Sequence, residues 1–238
     1  MAVRVSAIIP AYNEADVISE TVRAALSIPA VSEVIVVDDG SYDGTVNAAR
    51  SAGAHQVVAL SRNSGKGGAL NRAWPSAMGD VLLLLDADLG ASAGEGAKLL
   101  KAVLDGDADM AIAVLGRSRE PQASGGGPGL AERSGGFGLV VKTARLGIRL
   151  LTGKRMKSPL AGPRALKREI VEKAGGFAPR FGVEVGLTVD ALRMGYRVVE
   201  VPVGMVHRAS GRDLRGFAHR GRQMMDVLRT IGRKALRI

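Results

Sequence analysis

Val81-Leu82-Leu83-Leu84-Leu85-Asp86-Ala87-Asp88 sets five consecutive apolar residues directly before two carboxylates. A short unbroken apolar run that ends in polar residues is the pattern of a strand buried on both faces, and such strands belong to parallel sheets covered by helices. Working outward, the same element recurs. Val3–Ile9 is β-rich and stops at Pro10, and Glu33–Asp38 (EVIVVD), Gln56–Leu60 and Met110–Leu115 are further strands. Between them lie helices over Glu14–Ile28, with apolar Val17, Ile18, Val22, Ala25 and Leu26 at helical spacing, and over Thr45–Ala52, Gly67–Met78 and Ala91–Leu104. Five strands alternating with four helices predict a doubly wound, Rossmann-like, mostly parallel α/β sheet. Ligands of such sheets bind beyond the carboxyl ends of the strands, so the polar residues after each strand are the ones that matter.

Composition narrows the function classes. The 238 residues are 46% hydrophobic and 24% charged, which suits a single domain with a sizeable core. The absence of cysteine excludes disulfides, a cysteine nucleophile and thiolate-ligated metal sites. No apolar run approaches the roughly 18 residues of a membrane span. The opening MAVRVSAIIPAYNE has no long apolar leader region, so the sequence reads as cytoplasmic. The net charge of +10 is unevenly placed. Residues 1–116 hold 8 basic and 14 acidic residues, and residues 117–238 hold 25 and 9. An acidic half can hold a cation, and a basic half can receive phosphate or a membrane surface. A nucleic-acid-binding module is the reading that the charge alone suggests. Aromatics at 3% and an acidic ligand edge count against it.

Residues 117–136, rich in Gly, Ser and Pro, interrupt the alternation and read as a lid loop between a nucleotide-binding half (1–116) and an acceptor-side half (137–238). Helices follow at Phe137–Leu151, Glu169–Ala174 and Val183–Met194, then a strand at Arg197–Val203. A basic amphipathic helix at Leu214–Leu236 carries Leu214, Phe217, Gly221, Met224, Leu228 and Ile231 on one stripe.

Three strand ends converge on one edge: Pro10-Ala11-Tyr12-Asn13-Glu14, Asp38-Asp39-Gly40-Ser41 and Asp86-Ala87-Asp88. Of two carboxylates at i and i+2, one can face a ligand while the other binds a hard cation that keeps positions open for substrate phosphates. Mg²⁺ or Mn²⁺ bridging a diphosphate fits. His207, just after the last strand, is placed to complete a metal site with Asp88. His55 and His219 read as structural or surface residues. The loop Arg62–Gly68 is not a Walker A motif, because Leu60 stands at the first glycine position and Gly67 follows Lys66. Lys66 is then a cation at a helix start, placed for a nucleotide or simply solvated.

Together AIIPAYNEADVI, VIVVDDGSYDGT, RNSGKGGALNRAW and VLLLLDADL resemble the GT-A nucleotide-sugar glycosyltransferases of family 2. In the second half SPLAGPRAL, GFAPRFGVEVGLTVDAL and VHRASGRDLRGFAHRGRQ resemble the retaining glucosyl-3-phosphoglycerate synthases. The resemblance implies a GT-A fold and transfer of glucose from UDP-glucose, with uridine ahead of guanosine. It implies that Pro10, Ala11, Tyr12, Asn13 and Glu14 line the nucleoside pocket, and that Asp39 and Lys66 contact the uracil. Asp86 and Ala87 would face the ribose or sugar, and Asp88 and His207 would ligate the metal. Leu160, Ala161 and Gly162 would lie along the donor sugar. Glu184 would sit beside its hydroxyls, and Arg208 near the phosphates or acceptor. Asp88, Glu184 and Arg208 are thus the expected catalytic set. Glu184 serves as proton acceptor in an inverting reaction, or as sugar-orienting group in a retaining one. Helical spacing sets Val185, Val189 and Leu192 on a buried face and leaves Glu184 and Thr188 on another.

The synthases' Gly-Gly-Arg-x-Thr phosphate grip is Gly135-Gly136-Phe137-Gly138-Leu139-Val140 here, without Arg or Thr. The acceptor is therefore expected to be small and anionic but not 3-phosphoglycerate, with Arg149, Lys154, Arg155, Lys157 and Arg164 facing it. The alternative is transfer to a polyprenyl phosphate, with the C-terminal helix on the membrane surface. The favoured reading packs that helix on the sheet. A homodimer is compatible with either.

Overall fold

The structure is a computed structural model and describes residues 3–115, 137–207 and 214–236. The predicted lid, 117–136, and Arg208 lie outside the described residues. Seven strands form one sheet in the order β3-β2-β1-β4-β6-β5-β7. These are β1 (Val5–Ala11), β2 (Glu33–Asp38), β3 (Gln56–Ala59), β4 (Val81–Leu84), β5 (Met110–Leu115), β6 (Arg164–Lys167) and β7 (Val198–Val203). The pairs β1–β2, β1–β4, β2–β3 and β5–β7 are parallel, as the alternation predicts. The order reverses at β1, which opens a crevice beyond the ends of β1 and β4.

Two sequence expectations change here. The strand β6 was not foreseen, and it runs antiparallel to both β4 and β5. It is only four residues long and begins and ends on a base, so neither length nor alternation marks it. The first strand continues through Pro10 instead of stopping before it. Its ladder with β4 closes at Ile8–Leu84, while pairing with β2 runs on to Ala11–Asp38, so the missing N–H removes no bond from the β4 side.

On one face of the sheet pack α1 (Ile18–Leu26), α2 (Thr45–Ser51) and α4 (Gly96–Leu104). On the other pack α3 (Lys66–Ala73), α5 (Phe137–Thr152), α6 (Arg168–Ala174), α7 (Val183–Arg193) and α8 (Leu214–Ala235). The expected helix 91–104 divides into a 3₁₀ segment, Ala87–Glu95, which is itself kinked at Gly90 (φ 54°), and α4. The helix expected at 67–78 ends at Ala73, where Trp74–Ser76 turns as 3₁₀ around Pro75.

In α8 the packed positions are Met224, Val227, Thr230 and Ile231, while Leu228 is exposed. Of the expected stripe, Met224 and Ile231 pack as read, Val227 takes the place expected of Leu228, and Thr230 adds a buried position that its polarity hid. Glycine at 147 makes this contact close. A Cβ there would overlap the Ile231 side chain of α8. Among the described residues no helix is long and apolar enough to cross a membrane.

Candidate active site

The carboxyl ends of β1, β2 and β4 bring the predicted polar residues together. The loops after β1 and β2 are stitched to each other. Asn13, at φ 57°, accepts from the Tyr42 N–H at 3.1 Å and donates its own N–H to Ser41 Oγ at 2.8 Å. The Glu14 N–H reaches Thr45 Oγ1 at 2.9 Å. Tyr12 meets Tyr42 edge-to-face, with ring centroids 6.3 Å apart. The buried Asp39 carboxylate accepts from Ser64 N–H and Oγ, both at 2.7 Å, and from Gly65 N–H at 2.8 Å. It thereby fixes the loop that starts α3.

These residues wall a cavity of about 450 Å³ lined by Pro10, Ala11, Tyr12, Asp39, Lys66 and Asp86, among others. Asn63, Gly65, Ala69 and Arg180 complete the lining and were not predicted. Arg180 sits on a backbone at φ 51°, a conformation rare for a side-chain-bearing residue and enriched at functional sites.

At the inner end Lys66 Nζ lies 2.6 Å from Asp86 Oδ1 and 2.9 Å from Glu184 Oε1. It is not a solvated surface lysine. Burial opposes its charge, but the two carboxylates outweigh burial and hold its pKa above the ordinary value. Burial likewise opposes the Asp86 carboxylate, and the Lys66 charge overcomes it and keeps the acid below its usual range. Glu184 and Thr188 are both buried, as is nearly all of α7, so the expected division of that helix into two faces does not hold. Glu184 is there because an ammonium meets it, not because its side of the helix is wet.

Gly162 closely approaches these charged groups. A Cβ there would overlap both Asp86 carboxylate oxygens and press on Lys66 Nζ. Beneath it Arg164 is fully buried. Its guanidinium donates to the carbonyls of Gly162 (3.3 Å), Glu184 (3.2 Å) and Ala161. Burial lowers its pKa, against the pull of Glu184 and Asp86. Arg164 therefore does not face an acceptor, as its sequence neighbourhood suggested. It is a fixed charge under the carboxylates.

Asp88 and His207 meet as predicted, with Nδ1 at 2.9 Å from Oδ1, and His207 Nε2 lies 3.8 Å from Asp86 Oδ2. The hydrogen bond to Asp88 raises the imidazole pKa, assisted by the charges of Asp86 and Asp88 against burial and Lys66. Three bonds tie this segment to the 3₁₀ turn that carries Asp88. Gly204 N–H donates to Glu95 at 2.8 Å, Val206 N–H to Ser92 Oγ at 3.1 Å, and Ser92 Oγ to the Val206 carbonyl at 3.3 Å. Ala87 is buried, and its carbonyl accepts from Thr21 at 2.7 Å. Among the described residues no cluster of three or more acidic or histidine side chains is set to enclose a metal. An oxygen and a nitrogen donor side by side fit an ion that draws its remaining ligands from substrate and water. His55 accepts from the Val34 N–H at 3.1 Å, a structural use.

Leu160 and Ala161 face a second cavity, of about 460 Å³, bounded by Leu115, Val141, Lys142, Arg145 and Lys157. Glu200 of β7 holds its floor, accepting from the N–H groups of Lys157 (2.9 Å) and Ser158 (2.6 Å).

Residues 6–150 match the sequence profile described as Glycosyl transferase family 2. Glycosyltransferase AglD of Haloferax volcanii is 32% identical over 218 residues, 84% of this chain, and the chain spans a third (33%) of that protein. Undecaprenyl-phosphate mannosyltransferase of Micrococcus luteus is 29% identical over 242 residues, covering 95% of this chain and 93% of the relative. Glucosyl-3-phosphoglycerate synthase of Mycobacterium tuberculosis, solved with Mg²⁺ and UDP, superposes with a TM-score of 0.76 at 26% identity. That match covers 98% of this chain and 79% of the other.

Proposed function

The chain belongs to glycosyl transferase family 2, and from that premise we propose that it moves glucose from UDP-glucose to a phosphate-bearing acceptor with retention of anomeric configuration. The observation that carries the reading is the arrangement of Lys66 between Asp86 and Glu184, next to the Asp88–His207 pair, at the inner end of the nucleotide-sized cavity. Pro10, Ala11 and Tyr12 wall the nucleoside end, and Asp39, fixed by Ser64 and Gly65, backs the base. Asn13 and Glu14 anchor that wall. Asp88 and His207 would hold Mg²⁺ or Mn²⁺. That ion, when bound, offsets the charge that grows on the departing diphosphate.

The retaining course rests on the place of Glu184. Its carboxylate is engaged by Lys66 at 2.9 Å, which fixes it at the inner end of the cavity. There it suits hydrogen bonding to the sugar hydroxyls. The acceptor proton then passes to the leaving diphosphate oxygen on the same face of the sugar. Lys142, Arg145 and Lys157 of the second cavity supply the charge to receive the acceptor phosphate, close to Leu160 and Ala161.

A second reading concerns the acceptor alone. The apolar share of that cavity, Leu115, Val141, Pro159 and Leu160, favours a polyprenyl phosphate over 3-phosphoglycerate. The near full-length match to an undecaprenyl-phosphate mannosyltransferase agrees with it. Calorimetry of UDP with and without Mn²⁺ tests the donor and metal reading, and equal binding in EDTA would remove the metal from it. Turnover of labelled UDP-glucose with a short polyprenyl phosphate or with 3-phosphoglycerate decides the acceptor. NMR of the product's anomeric proton decides retention.

A further inference from the structure

Residues 137–158 contain six basic residues and no acidic one. Lys142, Arg145 and Arg149 stand on α5, and Lys154, Arg155 and Lys157 on the loop after it. The inner side of the same helix is ordinary core: Val140, Ala144 and Ile148 are buried. Its outer side is not an ordinary solvated face. Leu139, Leu146 and Leu150 are 61%, 56% and 75% exposed. At 100° per residue these positions fall within about 40° of one another, so they make one leucine row along the helix. The three basic residues fall on one flank of the row. The other flank leads to Gly147 and the close contact with Ile231, beyond which α8 exposes Met225 and Leu228.

We propose that this outer face of α5 docks the protein on an anionic lipid surface, with the leucines at the headgroup–acyl boundary and the basic row on lipid phosphates. An apolar row beside a cationic row, with no carboxylate in the whole stretch, is complementary to such a surface. A second copy of the chain is a poorer occupant, because two such faces would set like charges against each other. Nucleic acid would satisfy the bases but leave the leucines in water.

The place of the face gives the docking a use. Lys142 and Arg145 flank the leucine row and also line the second cavity, whose far wall is Leu160 and Ala161. A phosphate carried by a lipid could thus enter the cavity from the surface on which the protein sits. This use rests on the acceptor reading above; the docking itself rests on α5 alone.

The test is flotation of the full chain with vesicles of phosphatidylcholine alone and of phosphatidylcholine mixed with phosphatidylglycerol, neither containing an acceptor. The proposal expects binding to the anionic vesicles only, weakened several-fold by added salt. Leu146→Glu with Leu150→Glu should reduce binding tenfold or more, and Arg149→Glu should reduce it about fivefold or more. Both variants are at exposed positions outside the cavity, so UDP binding and thermal unfolding should match the wild type and report that the fold is intact. Equal binding to both vesicles, or unchanged binding by the leucine variant, overturns the proposal. So does a wild-type dimer that the leucine variant converts to monomer, which would assign the face to a second copy. Loss of UDP binding in the wild-type chain would strike the donor reading and leave the vesicle result to stand on its own.

Discussion

At the amino end of the sheet, Glu33 and Asp109 are as buried as Glu184 at the carboxyl end, where Asp86 and Asp88 stay partly open (side chains 20% and 29% exposed), and the partners differ between the two ends. Glu33 accepts from Ser6 Oγ at 2.5 Å and from the Met78 N–H at 2.6 Å. Asp109 accepts from the Arg197 N–H at 2.8 Å and pairs with Lys167 at 2.7 Å. Main-chain donors cannot leave, so these carboxylates pin strand starts. At the other end, among the described residues, no backbone N–H donates to the side chains of Asp86, Asp88 or Glu184. Their partners are Lys66 and His207, side chains that can exchange one contact for another when a ligand arrives. Acids thus lock structure wherever main-chain donors hold them, as with Glu33, Asp109 and the cavity-wall Asp39, whereas Asp86, Asp88 and Glu184, met by side-chain cations, are the ones free to exchange partners for a ligand.

The largest expected effect comes from breaking the open end. Asp88→Ala should lower sugar transfer about 10²-fold or more, since a metal ligand supplies several kcal/mol at the transition state. Stability should change by less than about 0.5 kcal/mol, because the side chain is at a strand-end turn and, among the described residues, its hydrogen-bond partner is His207. Transfer assays beside urea denaturation separate the two. Activity within a few-fold of the wild type would remove Asp88 from the site.

Lys66→Met sharpens the contrast, because it removes the ammonium that bridges the Asp86 and Glu184 carboxylates. Stability should fall by about 3 kcal/mol, the usual penalty for stranding a buried charge. Adding Glu184→Gln should recover part of that loss, since one uncompensated charge is then gone. If Lys66→Met alone unfolds no more readily than the wild type, the triad is not held as the distances imply.

The sequence made the open end legible and the closed end almost invisible. Asp86 and Asp88 announce themselves because a continuous apolar strand ends on them, and His207 because it follows the last strand. Five parallel strands were readable from apolar runs for the same reason. Arg164 and β6 were not, because a buried arginine inverts the rule that marks a strand by apolarity; three carbonyls and two nearby carboxylates make its burial tolerable, and those are known only in space. Glu184 was placed by resemblance, but its tie to Lys66 joins residues 118 positions apart with no spacing signature. Arg180 entered the cavity lining through a positive φ that no propensity at that position foretells. Asp109, in a plain GDADM stretch, carries no signal at all.

Asp109 therefore gives the smallest effect and a demanding test of the comparison. Its pKa is held below the ordinary carboxylate value; burial works against this, and the bonds from Lys167 and Arg197 outweigh it. A depressed folded pKa means that the contribution to stability is complete above the unfolded value near ~3.9 and fades as pH falls through the folded one. Lys167 is partly exposed, so screening limits the pair, and Asp109→Asn should destabilise the chain by about 1 kcal/mol at neutral pH. The variant should lose less stability than the wild type between pH ~5 and the acid limit, and the two curves should converge there. Transfer activity at neutral pH should not move, because the residue sits at the end of the sheet away from the cavity. Urea midpoints measured across that pH window read the first claim, and kcat/KM reads the second. A change in kcat/KM larger than about twofold would mean that the two ends of the sheet are coupled, and the division of labour between them would have to be given up.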